Sequence, residues 1–174
     1  IANNVAGYGA GLYLRGTGDE ATVEFGTKVT VSGNTAWRSG GGVYVDQVVF
    51  SMLAAGSGIF LNEAQGTGDS GYGGGLVVLA KERSAYAYIG GGLGNTGSIF
   101  NNTAKYGGGV AIVGDDGDGT TETTFTGTAL FNGDPATAWD GFGGHVVLAM
   151  QTAGGLGSMT GSLDFVLTAT GGDV

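Results

Sequence analysis

Three carboxylates fall within four residues in the segment Gly114-Asp115-Asp116-Gly117-Asp118-Gly119. Asp115, Asp116 and Asp118 could supply oxygen ligands to Ca2+, with the glycines letting the backbone approach closely. The segment departs from an EF-hand, which needs a Glu at the twelfth position. It also lacks the Gly-Gly-x-Gly-x-Asp nonapeptide of calcium-loaded β-rolls. The plainer reading is a solvated turn between strands, since charge clusters usually face water. No other cofactor is called for. His145 is the single histidine, so a His-based metal site is excluded. With Trp139 and Asp140 nearby in sequence it could form a sugar-binding or acid–base patch, against the simpler reading of a partly exposed strand residue.

Polysaccharide cleavage would need two carboxylates about 5–10 Å apart. Asp115, Asp116, Asp118, Asp134 and Asp140 are candidates among the acids of the second half, with Asp69 a further partner for Asp116 if the fold brings them together. The cations that would hold an acidic sugar are few: Arg15, Lys28, Arg38, Lys81, Arg83 and Lys105. A lyase for acidic polysaccharides is therefore disfavoured, and no serine, Ser84 and Ser98 included, lies in a Gly-x-Ser-x-Gly elbow. Thr22, Thr124, Thr126 and Thr128 approach an ice-binding array but do not recur at one place in every repeat. Asn101-Asn102-Thr103 is an N-glycosylation acceptor pattern, meaningful only in a eukaryotic secretory setting.

The elements that must position such residues repeat along the chain. A small glycine cluster followed by an apolar-x-apolar triplet occurs as Gly9-Ala10-Gly11-Leu12-Tyr13-Leu14 and Gly40-Gly41-Gly42-Val43-Tyr44-Val45. It returns as Gly73-Gly74-Gly75-Leu76-Val77-Val78, Gly107-Gly108-Gly109-Val110-Ala111-Ile112 and, more weakly, Gly143-Gly144-His145-Val146-Val147-Leu148. The last glycines stand at 11, 42, 75, 109 and 144, so the spacings are 31, 33, 34 and 35. Before each cluster comes a short apolar strand ending in Asn, with Ala two residues on in four of the five copies. Asn4, Asn34, Asn62, Asn102 and Asn132 hold that position. Asn suits a tight bend, and amides in successive copies could bond to one another as a ladder. A third β-like segment follows each triplet, as in Ala21-Thr22-Val23-Glu24-Phe25 and Ser84-Ala85-Tyr86-Ala87-Tyr88-Ile89.

Three short strands per ~33 residues, in about five copies, predict an all-β chain wound as a parallel β-helix. A propeller blade needs four strands and a longer repeat, and a sandwich lacks such self-similarity. The glycines would relieve corners where copies stack about 4.8 Å apart. Alternation in Leu-Tyr-Leu and Val-Tyr-Val predicts aliphatics inside with Tyr13 and Tyr44 outside.

The chain has 174 residues, a one-domain length, with 40 glycines, Pro135 as its single proline, and no cysteine. Disulfides and Cys-based zinc sites are excluded. At 41% hydrophobic, 10% aromatic and 12% charged, it has too much apolar content for a disordered linker. The net charge of −9 argues against nucleic acid and against anionic lipid. No run of 18 apolar residues exists to span a bilayer as a helix. The start at Ile1, inside a motif copy, and the lack of a visible cap at either end read as a segment of a longer repeat protein; stacking on further subunits would meet the same need.

The pairing of Phe/Ile-x-x-Asn with Gly-Gly-Gly-Val resembles the repeats of polymorphic outer-membrane proteins. The phrases Gly33-Asn34-Thr35-Ala36-Trp37-Arg38-Ser39-Gly40-Gly41-Gly42-Val43-Tyr44-Val45 and Asn101-Asn102-Thr103-Ala104-Lys105-Tyr106-Gly107-Gly108-Gly109-Val110-Ala111-Ile112-Val113 are also similar to repeats of large secreted right-handed β-helix proteins, including autotransporter passengers. The resemblance implies a single-stranded right-handed parallel β-helix over residues 1–174, secreted or exposed at the cell surface, with an adhesin's role. The expected function is a non-enzymatic scaffold or adhesin segment displaying loops and aromatics. Its partner would be a cell-surface protein or glycan, or further copies of itself. Tyr13, Tyr44, Tyr72, Tyr106, Trp37 and Trp139 are the candidate contact residues, with the alternative that several simply pack over loops. A polysaccharide-active β-helix enzyme and a self-assembling fibre subunit are the competing readings.

Overall fold

The computed structural model describes residues 1–17, 21–67, 70–80, 85–89, 99–115, 121–125, 146–151 and 163–165. The apolar-x-apolar stretches become strands because β-branched and aliphatic side chains fit a pleated, half-buried surface. In chain order the strands are β1 (Val5–Tyr8), β2 (Leu12–Arg15), β3 (Thr22–Phe25), β4 (Thr30–Ser32), β5 (Thr35–Ser39), β6 (Val43–Asp46), β7 (Val49–Met52) and β8 (Gly58–Phe60). They continue as β9 (Glu63–Ala64), β10 (Leu76–Ala80), β11 (Ala85–Ile89), β12 (Ile99–Phe100), β13 (Val110–Asp115), β14 (Thr121–Phe125), β15 (Val146–Gln151) and β16 (Leu163–Phe165). No helix occurs among the described residues.

Four sheets result, with orders β1-β5-β9, β2-β6-β10-β13-β15, β3-β7-β11-β14-β16 and β4-β8-β12. The strand pairings are parallel, and from β1 to β12 the chain visits the four sheets three times in the same cyclic order. Neighbours within a sheet therefore come from successive copies of the motif. Leu12 lies beside Val43, Val43 beside Leu76, Leu76 beside Val110, and Val110 beside Val146. The strand positions number four per copy rather than the expected three. The Asn-bearing element is two short strands, because the residue before the Asn turns the chain. Asn3, Gly33, Leu61 and Asn101 all occupy that place with φ of 58, 63, 56 and 54°. Left-handed backbone is easy for Gly and tolerable for Asn, but a branched side chain crowds it.

The turned chain aims the following Asn inward, and the amides form a ladder. Asn4 Nδ2 donates to Asn34 Oδ1, Asn34 Nδ2 to Asn62 Oδ1, and Asn62 Nδ2 to Asn102 Oδ1, each at 2.9 Å. Each accepting oxygen also takes the backbone N–H of the preceding Asn, at 3.0 to 3.1 Å. The second amide hydrogen returns to a backbone carbonyl of the copy before: Asn62 to Val31 and Asn102 to Ile59, both at 3.0 Å. Asn34, Asn62 and Asn102 are buried, so a satisfied amide is the condition for placing them there.

The glycine cluster is the other half of the same device. A Cβ on Gly42 would stand 2.5 Å from Gly75 O and 3.0 Å from Asn62 Nδ2. On Gly75 it would stand 2.6 Å from Gly109 O and 2.9 Å from Asn102 Nδ2. The third glycine of one copy is thus the seat of the ladder Asn of the next. The first glycine has a separate reason: Gly9, Gly40, Gly73 and Gly107 carry φ of 53 to 70°.

Between the sheets lies the main core, in which Val43, Val45, Phe50, Met52, Ile59, Leu76, Val78, Ile89, Ile99 and Val110 are buried together. A second cluster covers the other face of the β6-β10-β13 region and joins Tyr44, Val77, Leu79, Ala111 and Val113, with Tyr72 against it. Burial on both faces explains why β10 and β13 read as continuous apolar runs, whereas β2 alternates.

Two stability outcomes follow from this arrangement. Leu61 is 59% exposed and left-handed, so Leu61→Asn should raise stability by about 1 kcal/mol, read as a higher urea midpoint at unchanged slope. Asn62→Ala strands several buried donors and acceptors at once and should cost about 3 kcal/mol or more, whereas Asn4→Ala, at the exposed start of the ladder, should cost about 1 kcal/mol or less. Equal losses at the two positions would mean that the ladder does not hold the core.

Candidate functional site

Among the described residues, the richest group of chemically capable side chains gathers where β1, β2, β5 and β6 come together. Tyr13 and Tyr44 share one register position on β2 and β6, so their rings stack at 5.3 Å with 19° between planes. Tyr8, the last residue of β1, meets Tyr44 edge-on at 5.4 Å. Arg38 on β5 donates from NH1 to Tyr8 Oη at 2.9 Å while its guanidinium carbon lies 5.4 Å from the centre of the same ring. A bulge makes this contact possible. The register of β1 on β5 shifts between Ala6 and Tyr8, so Trp37 and Arg38 both face outward.

A polar cluster centred on Asp46 anchors the tyrosines. Arg15 and Asp46 pair in register, and Arg15 Nε lies 3.5 Å from Asp46 Oδ2. The same oxygen accepts Tyr13 Oη–H at 3.1 Å, and Asp46 Oδ1 accepts Gln47 Nε2–H at 3.0 Å. Asp46 is buried, and these three donors offset the cost of removing its charge from water. Arg15 keeps 60% of its side chain in solvent, so the ion pair is a rim contact of small net energy. Gln47 completes the corner in a left-handed conformation, φ 57°, and its Oε1 is buried without a hydrogen-bond partner among the described residues.

Of the expected contact residues, Trp37 is 65% exposed and Tyr13 46%. Tyr44 is not outside as expected; it is only 9% exposed, because Tyr8 and Tyr13 cover it and the second apolar cluster continues beneath it. Tyr72 and Tyr106 are half-buried, paired with each other as a parallel bridge and stacked at 5.0 Å and 28°, with Lys105 Nζ 4.8 Å from the Tyr106 ring centre. Tyr72 also packs against the apolar cluster that contains Tyr44. Asp115 ends β13, while Asp116, Asp118, Trp139, Asp134, Asp140, His145, Asp69, Ser84 and Ser98 lie outside the described residues. Among the described residues no three His, Cys, Asp or Glu side chains are grouped to hold a metal ion.

Sequence reading missed Tyr8, Asp46 and Gln47, and named Arg15 and Arg38 only among the few cations that would hold an acidic sugar. The signal for two of them was present: Arg15 and Asp46 follow the triplets Leu12-Tyr13-Leu14 and Val43-Tyr44-Val45 directly, so aligning the copies sets them side by side. Tyr8 needed knowledge of the bulge. As it stands, the group offers π-faces, two guanidinium groups at the surface and a fixed carboxylate beneath. No family model matches this chain, and neither a curated protein nor a solved structure matches it.

The tyrosines also carry a pH signature. Burial raises the Tyr44 phenol well above its ordinary value, and the Asp46 carboxylate adds to the effect. Burial, then Asp46, raises Tyr13 as well. A folded-state value above the unfolded one, about 10, means the native protein holds the proton more tightly. The associated stability is present in full below about pH 10 and is lost as pH rises past it. Tyr44→Phe removes this linkage, so urea denaturation between about pH 9 and 11 should show a shallower decline in the variant than in the wild type.

Proposed function

We propose that the chain winds as a single-stranded, right-handed parallel β-helix of about five coils, one domain over residues 1–174, and serves as a non-enzymatic scaffold or adhesive segment at the cell surface or in secretion. The observation that carries this reading is the cyclic return of the chain to the same parallel sheets, one strand per copy. A chain that returns in this way sets equivalent side chains in rows about 4.8 Å apart. The ring spacings agree with such rows: Phe60 on Phe100 at 4.8 Å, Tyr72 on Tyr106 at 5.0 Å, and Tyr13 on Tyr44 at 5.3 Å. Rows of this kind suit display, because a rigid frame holds surface groups at fixed intervals for a partner that is itself extended. The likeness of the repeats to those of polymorphic outer-membrane proteins points the same way, toward a cell-surface protein or glycan as partner.

The experiment is to present the purified chain to immobilised cell-surface extracts and to glycan and protein arrays, and to assay the glycans for cleavage alongside. Saturable binding without new reducing ends supports the display reading. Cleavage would replace it with a polysaccharide-active enzyme, and concentration-dependent end-to-end association without surface binding would replace it with a fibre subunit.

A further inference from the structure

We propose that the surface formed by Tyr8, Tyr13, Arg15 and Arg38 is a binding site for an anionic saccharide, one whose sugar ring carries a carboxylate or a sulfate. The proposal rests on the display reading for its partner being a surface ligand, and it adds the ligand's chemical class and the residues that would recognise it.

Charge makes the site unusual within its own chain. The protein has six Lys and Arg against fifteen Asp and Glu, yet two of the six, Arg15 and Arg38, flank one aromatic cluster. Arg38 is exposed and has no carboxylate within ion-pair distance among the described residues. Its one side-chain hydrogen bond among the described residues runs from Nη1 to Tyr8 Oη, and its place over the Tyr8 ring holds the planar fork while leaving most of its N–H groups open to solvent. Arg15 turns its Nε to Asp46 and keeps most of its length in solvent. A guanidinium with open donors presents two parallel N–H groups that match a carboxylate or sulfate edge.

The aromatic part is equally prepared. The Tyr13 ring is fixed on one face by Tyr44 and at its hydroxyl by Asp46. Tyr13 lies on β2, the first strand of its sheet among the described residues, and is 46% exposed. The negative π-face of a fixed aromatic ring attracts the polarised C–H groups of a sugar ring, and the ordering cost is already met within the protein. Together the two parts specify a ring with an apolar C–H face and an anionic edge. A nucleic acid also has rings and anions, but its repeated phosphates would meet the net charge of −9 along their length, whereas a few ring-borne charges meet only the local arginines.

The test uses the full chain and three oligosaccharides of equal length: an oligogalacturonate, a sulfated heparin-derived fragment and a neutral cello-oligosaccharide, with single-stranded DNA as a fourth probe. Calorimetric or fluorescence titration should show at least tenfold tighter binding of one or both anionic sugars than of the neutral one, weakening as salt rises. Which of the two binds distinguishes carboxylate from sulfate. Arg38→Ala should weaken binding at least tenfold and Arg38→Lys severalfold, while Tyr13→Phe should stay within about threefold because the ring remains. Lys28→Ala, away from the site, should leave binding unchanged. Arg38 is a surface residue, so its variants should melt like the wild type and report on binding alone. Equal binding of neutral and anionic sugars, tighter binding of DNA, or indifference to Arg38→Ala would overturn the proposal while leaving the display reading intact. An absence of binding to all four probes would overturn it too, and binding elsewhere on the surface arrays would then show that the display reading survives on its own.

Discussion

The regular stacking of the first four copies depends on one contact: a buried Asn amide seated against a glycine that has no Cβ to obstruct it. Asn62 shows the terms. Its Nδ2 lies 3.0 Å from where a Cβ on Gly42 would stand, and it meets the backbone of the copy before and the Asn of the copy after. An amide has two donors and two acceptor lone pairs, and here all four have partners, so a polar group enters the core without penalty. The left-handed residue ahead of each Asn and the left-handed first glycine after it bend the chain to suit. The apolar core then fills the space that this polar corner defines, with Ile59 and Ile99 in register on one side and Val43, Leu76 and Val110 on the other.

Much of this was legible in the sequence. The near-constant spacing of the glycine clusters and the Asn that precedes each are visible without coordinates, and the in-register pairing of Leu12, Val43, Leu76 and Val110 follows the motif alignment. The division of the Asn element into two strands was less visible, because its cause is a backbone angle that Asn, Gly and even Leu61 adopt under tertiary constraint. Tyr44 misled for a related reason. Alternation along β6 does point it away from the main core, but alternation says nothing about a second apolar layer on that face. Contacts between residues about thirty positions apart, such as Tyr13 with Asp46, emerge only when copies are compared with one another rather than along the chain.

The electrostatics of the Tyr13 region follow from the same stacking. Parallel, in-register pairing sets like positions together, so a charge on one strand is answered by the residue at that position in the next copy. Arg15 and Asp46 are such a pair, and the further occupants of the position, Leu79 and Val113, are apolar. The polar corner is therefore confined to the first two copies, where it fixes Tyr13 and carries exposed guanidinium groups. Arg38 owes its exposure to a bulge in the β1-β5 pairing, a local irregularity in an otherwise regular frame.

The Asn ladder has a sense. Each amide donates toward the later copy and accepts from the earlier one, so the C=O bonds from Asn34 to Asn102 lie head to tail. Such a row behaves like a one-dimensional polar crystal: any cut through it would expose two unlike faces, one offering amide oxygen and the other amide hydrogen. Two faces of the same kind brought together would set like poles against each other, while unlike faces would continue the lattice. The arrangement of a single side-chain type thereby gives the whole stack a direction, independent of the direction in which the backbone is read.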